Sequence, residues 1–229
     1  MTEFFADIAV PDVALLANGA PPRGKALDMM LSARALVACD GAAATARTLG
    51  RECDFAVGDG DSLAAAEREA MGSGFVRVEE QDTNDLAKAF RFVCSRFAMA
   101  KSLVILGAHG LRDDHFLGNV SLLPEFAAEF VRTSARPSGA FVCMVTDSGR
   151  FDVVLGSRTF RAEVGDPVSV FAFNNDAHIV SDGLEWPLAG VELNALWKGS
   201  LNRANKETVV LTVDAPIVVF RPVPAARAV

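Results

Sequence analysis

Residues 57–63 read Val57-Gly58-Asp59-Gly60-Asp61-Ser62-Leu63. Apolar Phe55, Ala56 and Val57 lead in as the end of a short buried strand, and a helix is expected to begin near Leu63. Two carboxylates therefore sit two residues apart on a glycine-bent turn. Hard cations such as Mg²⁺ take oxygen ligands of this kind beside phosphate oxygens. Glycines let backbone N–H groups approach an anion, and a helix start adds a favourable dipole. Alone, the stretch is also an ordinary surface turn, because Asp and Gly are common turn residues.

What surrounds it repeats the same arrangement. Upstream, residues 13–17 (VALLA) and 35–39 (ALVAC) read as buried strands. The first closes at Asn18-Gly19, the second at Asp40-Gly41, and residues 25–33 and 42–49 fit helices between them. Downstream, a helix over 64–71 precedes a short strand over 75–78. A longer helix then opens at Asp82-Thr83-Asn84-Asp85, with Leu86, Ala89, Phe90, Val93 and Phe97 on one apolar face. Asp82 is its expected N-cap, and Asp85 lies in the first turn, where the dipole favours an anion. Residues 102–106 (SLVIL) form another apolar strand and run into Gly107-Ala108-His109-Gly110-Leu111-Arg112-Asp113-Asp114-His115. The next helix carries Phe116, Leu117, Val120 and Leu123 as its stripe, with His115 and Asn119 sharing a face beside it.

Alternating short apolar strands and helices predict a mainly parallel sheet covered on both sides. Ligands bind such sheets at the carboxyl ends of the strands. Asp40, Asp59, Asp61, Asp82, Asp85 and residues 112–115 all fall there. After Arg136-Pro137 the rhythm changes to short strands separated by Asp, Gly and Asn turns: 141–146, 151–155, 159–162, 168–173, 178–181, 191–197, 208–213 and 217–220. That pattern predicts a β-sandwich or barrel. The expected organisation is an α/β domain over 1–137, with a parallel sheet flanked by helices, followed by an all-β sandwich over 138–229.

The chain has 229 residues, 51% of them hydrophobic, enough for a substantial core. It has no Tyr but 16 Phe, and its net charge is −7 without a basic run. That excludes a general nucleic-acid or membrane-surface binder. Cys39, Cys53, Cys94 and Cys143 form no C-x-x-C pair, and no zinc spacing appears. Cys39, Cys94 and Cys143 lie in apolar runs and read as buried thiols. The N-terminal residues lack a signal-like pattern, and no apolar stretch is long enough to span a bilayer. A cytoplasmic setting is expected. Neither G-x-x-x-x-G-K-[ST] nor G-x-G-x-x-G is present.

Each cluster has a structural reading beside its functional one. Arg112 is suited to clamp a phosphate or to pair with Asp113 or Asp114. His115 is either a ligand-facing group, supported by Asn119 one turn on, or a helix-end core histidine. Lys88 either reaches a phosphate or pairs with Asp85 on the helix surface. Trp186 and Trp197 read as packing for the β-core; at an exposed edge, one would stack on an aromatic ligand. Gly199-Ser200-Leu201-Asn202 reads as a turn.

Taken in order, Asp40-Gly41, Gly58-Asp59-Gly60-Asp61-Ser62-Leu63 and Asp82-Thr83-Asn84-Asp85-Leu86-Ala87-Lys88-Ala89 resemble the thiamine pyrophosphokinase family. So do residues 107–115 with Asn119, Asp182-Gly183-Leu184-Glu185-Trp186-Pro187-Leu188 and Gly199-Ser200-Leu201-Asn202. The resemblance implies a homodimer with its site between subunits, and transfer of diphosphate from ATP to the hydroxyethyl group of thiamine. It implies Mg²⁺ held by Asp59, Asp61 and Asp85. Asp40, Gly41, Ser62, Asp82, Lys88, Arg112, Asp114, His115 and Asn119 would bind ATP; Trp186, Ser200, Leu201 and Asn202 would bind thiamine. Here Gly60 replaces a common aromatic, and Leu201 stands where Ser is usual. Leu201 keeps open another acceptor or a nucleotide hydrolase. A thiamine- or nucleotide-binding protein without turnover is the remaining alternative.

Overall fold

The computed structural model describes residues 4–132 and 135–223. Six parallel strands are β1 (Val13–Leu16), β2 (Ala35–Cys39), β3 (Phe55–Gly58), β4 (Phe75–Arg77), β5 (Ser102–Leu106) and β6 (Phe141–Val145). They lie in the order β6-β5-β1-β2-β3-β4. The connecting helices are α1 (Gly24–Ser32), α2 (Ala42–Thr48), α3 (Ala65–Met71), α4 (Asp85–Arg96) and α5 (Asp113–Arg132).

The strand period of two separates two cores. Val13, Leu15, Val37, Cys39, Val57, Leu103 and Ile105 face α4 and α5, whose Leu86, Ala89, Phe90, Val93, Leu123, Phe126 and Phe130 cover them. Ala14, Leu16, Leu36, Ala38, Ala56, Val104 and Leu106 face the opposite way, onto Met29 and Met30 of α1 and Ala42, Ala43 and Ala46 of α2. Alanines at these sheet and helix positions let α2 approach closely. The order reverses between β1 and β5, which opens a crevice at their carboxyl ends.

The sheet continues past residue 137. β6 pairs with β7 (Gly149–Val154), β7 with β13 (Ile217–Pro222), β13 with β9 (Pro167–Phe171) and β9 with β11 (Asn202–Arg203), all antiparallel. A second sheet, in the order β10-β12-β8, is built from β8 (Ser157–Arg161), β10 (Ile179–Asp182) and β12 (Thr208–Val213). Between the two, Val154, Val168, Val170, Ile217 and Val219 pack on Phe160, Ile179, Val209 and Leu211. This is the expected sandwich.

Several local expectations are corrected. Residues 191–197 form no strand; Leu196–Gly199 is a 3-10 helix instead. Asn84, not Asp82, caps α4, its Oδ1 accepting from the Ala87 N–H at 2.9 Å. Leu117 leaves the α5 stripe and is exposed, and Cys94 is only half-buried.

Candidate active site

Three carboxylates lie at the ends of β2 and β3 and the start of α4, with the charges of Asp59 and Asp85 acting on Asp40. Asp40 follows β2 directly and is buried. Its φ is +20°, a backbone state uncommon outside glycine. It packs on Gly58, where an added Cβ would lie 2.6 Å from the Asp40 Cβ, so only glycine fits there. Oδ2 of Asp40 accepts the Ser62 N–H at 3.0 Å, while Oδ1 is buried with no hydrogen-bond partner. Burial raises the Asp40 carboxyl above the usual range, and the nearby charges of Asp59 and Asp85 push it the same way.

Asp59 is half-buried and hydrogen-bonded on both oxygens, by the Asp61 N–H at 3.1 Å and Gln81 Nε2 at 3.2 Å. These two bonds, the amide first, hold its carboxyl below the usual range, with Lys88 adding to the effect. Asp61 and Asp82 are exposed. Asp85 is exposed above a buried Lys88, whose Nζ lies 3.2 Å from Asp85 Oδ1. Lys88 is the partner of Asp85 considered above, but it pairs from a buried position and not on the helix surface. Cys39 also lies below, its Sγ 3.6 Å from the Asp85 carbonyl, and burial raises its thiol far above the usual range.

The loop after β5 forms the other side of the crevice. Gly19 and Ala20 donate to the Gly107 and His109 carbonyls, both at 2.7 Å. Gly19 has no space for a Cβ, which would lie 2.2 Å from the Gly107 oxygen. Asn119 is half-buried and donates from Nδ2 to the Ala108 carbonyl at 3.1 Å, tying α5 to this loop. Arg112 is exposed and paired with Asp114, which it draws down to about 2. His115 is exposed, not a core histidine.

Trp186, Ser200, Leu201 and Asn202 form a separate cluster on the C-terminal sheets. Asn202 is buried and clamps Trp186 from both sides, accepting its N–H at 3.2 Å and donating to its carbonyl at 2.7 Å. Ser200 Oγ donates to the Trp197 carbonyl at 2.7 Å. Leu201 is 81% exposed with φ +61°. Neither tryptophan fills the β-core: Trp186 is 53% and Trp197 74% exposed.

Sequence reasoning missed Gln81, which bonds Asp59, and the close approach of Gly19 to the loop after β5. Gln81 carried no signal beyond its proximity to Asp82. The Asn-Gly pair after β1 was legible only as a turn.

The all-oxygen donor set and the unpartnered Asp40 Oδ1 suit a hard divalent cation. Among the described residues, no group of three or more His, Cys, Asp or Glu side chains is close enough to hold a metal ion by itself. Mg²⁺ fits this arrangement, because it commonly uses one or two carboxylates with substrate phosphates and water. Two cavities, of about 310 and 370 Å³, lie elsewhere. One is beside Val131, Phe141 and Arg158; the other lies between α2 and α3 beside Cys53.

Residues 27–134 match the family model described as thiamin pyrophosphokinase, catalytic domain. Residues 149–220 match that described as thiamin pyrophosphokinase, substrate-binding domain. No curated protein sequence matches. Among solved structures, the thiamin pyrophosphokinase from Candida albicans superimposes with a TM-score of 0.74 at 15% identity, over 96% of this chain and 91% of that one. The family protein from Enterococcus faecalis gives 0.71 at 20% identity, over 92% and 98%. The enzyme from Bacillus subtilis gives 0.69 at 18%, over 92% and 98%. At these identities the likeness establishes the fold.

Proposed function

The chain belongs to the thiamin pyrophosphokinase family and is an enzyme of that class; from that premise we propose that it transfers the diphosphoryl group of ATP to the hydroxyethyl oxygen of thiamine, releasing AMP. The observation that carries this reading is the placement of Asp40, Asp59 and Asp85 at the carboxyl end of the parallel sheet, near enough for the charges of Asp59 and Asp85 to act on Asp40, inside the span matched by the catalytic-domain model.

Asp59, Asp61 and Asp85 would hold Mg²⁺, with Asp40 and Asp82 beside them. Held there, Mg²⁺ would supply neutralisation of the phosphate charge. Gly41 and Ser62 line the floor of the nucleotide site. Lys88, Arg112, Asp114, His115 and Asn119 orient the triphosphate, Lys88 as a fixed charge and Asn119 by holding the 107–110 loop. The thiamine oxygen attacks the β-phosphorus in line, the bond to the α-phosphate oxygen breaks, and AMP leaves. The hydroxyl proton passes to a site carboxylate. Rate enhancement comes mostly from positioning and charge neutralisation.

Trp186, Ser200, Leu201 and Asn202 would form the thiamine side, brought to the carboxylates by a second copy. The exposure of Trp186, Trp197 and Leu201 supports a homodimer. No helix among the described residues is long and apolar enough to cross a membrane. We place the enzyme in the cytoplasm on its cysteine usage.

The test is a turnover assay with thiamine, ATP and Mg²⁺ that resolves AMP, ADP and thiamine diphosphate. Stoichiometric thiamine diphosphate and AMP are expected. ATP consumption without thiamine diphosphate would reject thiamine as acceptor. The exposed, left-handed Leu201 favours a different alcohol acceptor as the second reading.

A further inference from the structure

Arg68 of α3 reaches back under the loop that carries Asp59 and Asp61. Its Nη1 donates to the Gly60 carbonyl and, at 3.0 Å, to the Leu63 carbonyl. The Gly60 carbonyl and the Asp61 N–H belong to one planar peptide unit and point in opposite directions. That same Asp61 N–H donates to Asp59 Oδ1 at 3.1 Å. A grip on one end of the peptide therefore aims the other end at the carboxylate. One residue on, the Ser62 N–H donates to Asp40 Oδ2.

Gly60 makes the grip possible. Its φ is +88°, and an added Cβ would lie 3.1 Å from both Cδ and Nη1 of Arg68 and 3.0 Å from Cζ of Phe75. The volume a side chain at 60 would occupy is already taken by Arg68 and Phe75. No residue of α3 is fully buried, and Met71 at its end packs against the core.

We propose that Arg68 is a positioning residue for the Asp59–Asp61 loop, gripping the Gly60–Asp61 peptide from behind, and that Gly60 and Arg68 act as one unit. This rests on the metal- and phosphate-binding reading of that loop. Removal of a group that orients metal-ligating carboxylates typically weakens binding about 10- to 100-fold.

The experiment titrates Mn²⁺, with a non-hydrolysable ATP analogue present, into the full chain by calorimetry. It also follows amide exchange across 58–63 in the ligand-free protein. Arg68→Met is expected to weaken Mn²⁺ binding by about 10- to 100-fold and to speed exchange in that loop, with the ligand-free thermal midpoint little changed. Arg68→Lys, which keeps charge but not the two-carbonyl reach, falls between. Gly60→Ala displaces Arg68 and gives the same loss, and the double variant is no worse than either single one. Unchanged Mn²⁺ affinity and loop exchange in Arg68→Met, or strictly additive losses, would overturn the assignment. Should Arg68→Met not fold, unchanged binding in Gly60→Ala overturns it equally. If the unsubstituted chain binds no Mn²⁺ with the analogue, the metal reading fails and the assignment falls with it.

Discussion

Lys88 lies buried directly beneath Asp85, its Nζ 3.2 Å from the carboxylate Oδ1, with Asp85 itself open to solvent. A buried ammonium under an exposed carboxylate keeps the site's negative charges compact and offers a fixed positive charge to a phosphate. Lys88→Met keeps the stem and removes the charge. Loss of one preorganised electrostatic group costs about 10²-fold or more in turnover. We expect such a drop in kcat, measured with saturating ATP and Mg²⁺, with the fold retained by circular dichroism.

Asp40 sets a trade between stability and activity. Its carboxyl is raised by burial and by the charges of Asp59 and Asp85. A raised folded-state value means that its contribution to stability is fully present below the ordinary carboxylate range. That contribution is lost as pH rises through the folded value. At neutral pH the charged form therefore costs stability. Asp40→Asn is expected to raise the ligand-free melting temperature at pH 7 while lowering turnover about 10²-fold or more. A lower melting temperature would show that the Ser62 bond outweighs the charge cost.

Asp152 is fully buried among Arg150, Arg158 and Arg221, at 2.8, 3.0 and 2.8 Å. Burial works against its charge, but the three guanidiniums win and hold its carboxyl below the usual range. A depressed value gives stability that is present above the ordinary carboxylate range and lost as pH falls through the folded value. Asp152→Asn removes the buried counter-charge shared by Arg150, Arg158 and Arg221, although Arg150 keeps Asp7 at 2.6 Å, and is expected to destabilise the chain by about 3 kcal/mol. Urea unfolding at pH 7 measures it, and the deficit should shrink as pH falls below the carboxylate range.

Leu201 stands in the left-handed region with its side chain in solvent. That conformation costs a residue with a Cβ about 1–2 kcal/mol. Leu201→Gly should leave stability unchanged or raise it by up to about 1 kcal/mol, despite removing a large apolar group. A thermal-unfolding loss beyond about 1 kcal/mol would mean that the side chain packs in the folded state. If this side chain selects the acceptor, Leu201→Ser shifts the KM for thiamine and leaves that for ATP unchanged.

Trp186 and Trp197 are the only tryptophans, and both are exposed. The proposed homodimer should bury at least one of them. We expect emission to shift to shorter wavelength as concentration rises through the association range, in step with mass by light scattering. A monomer at assay concentration with full turnover would reject the intersubunit site.

Much of the fold was present in local chemistry. β2 and β5 are apolar runs ended by Asp40 and Gly107, β12 combines Thr with apolar residues up to Asp214, and their limits follow from composition and turn residues alone. α4 follows from its apolar face. Its cap did not, because Asp82 and Asn84 are both competent acceptors, and the structure shows Asn84 accepting from the Ala87 N–H. The 191–197 segment has strand-like composition but pairs with neither sheet, and Leu196–Gly199 turns as a 3-10 helix instead.

The acidic residues were legible one motif at a time. Their spacing shows that Asp40, Asp59 and Asp85 end strands or start helices, since turn and cap chemistry acts over a few residues. What sequence by itself determined was the alternation of elements and the residue types at their ends. Tertiary structure decided which carboxylate is buried, that Lys88 lies under Asp85, and that Arg68 holds the Gly60–Asp61 peptide. Those facts depend on strand order and helix packing, which bring together groups up to 45 residues apart (Asp40 and Asp85) whose desolvation and charge act through space, not along the chain.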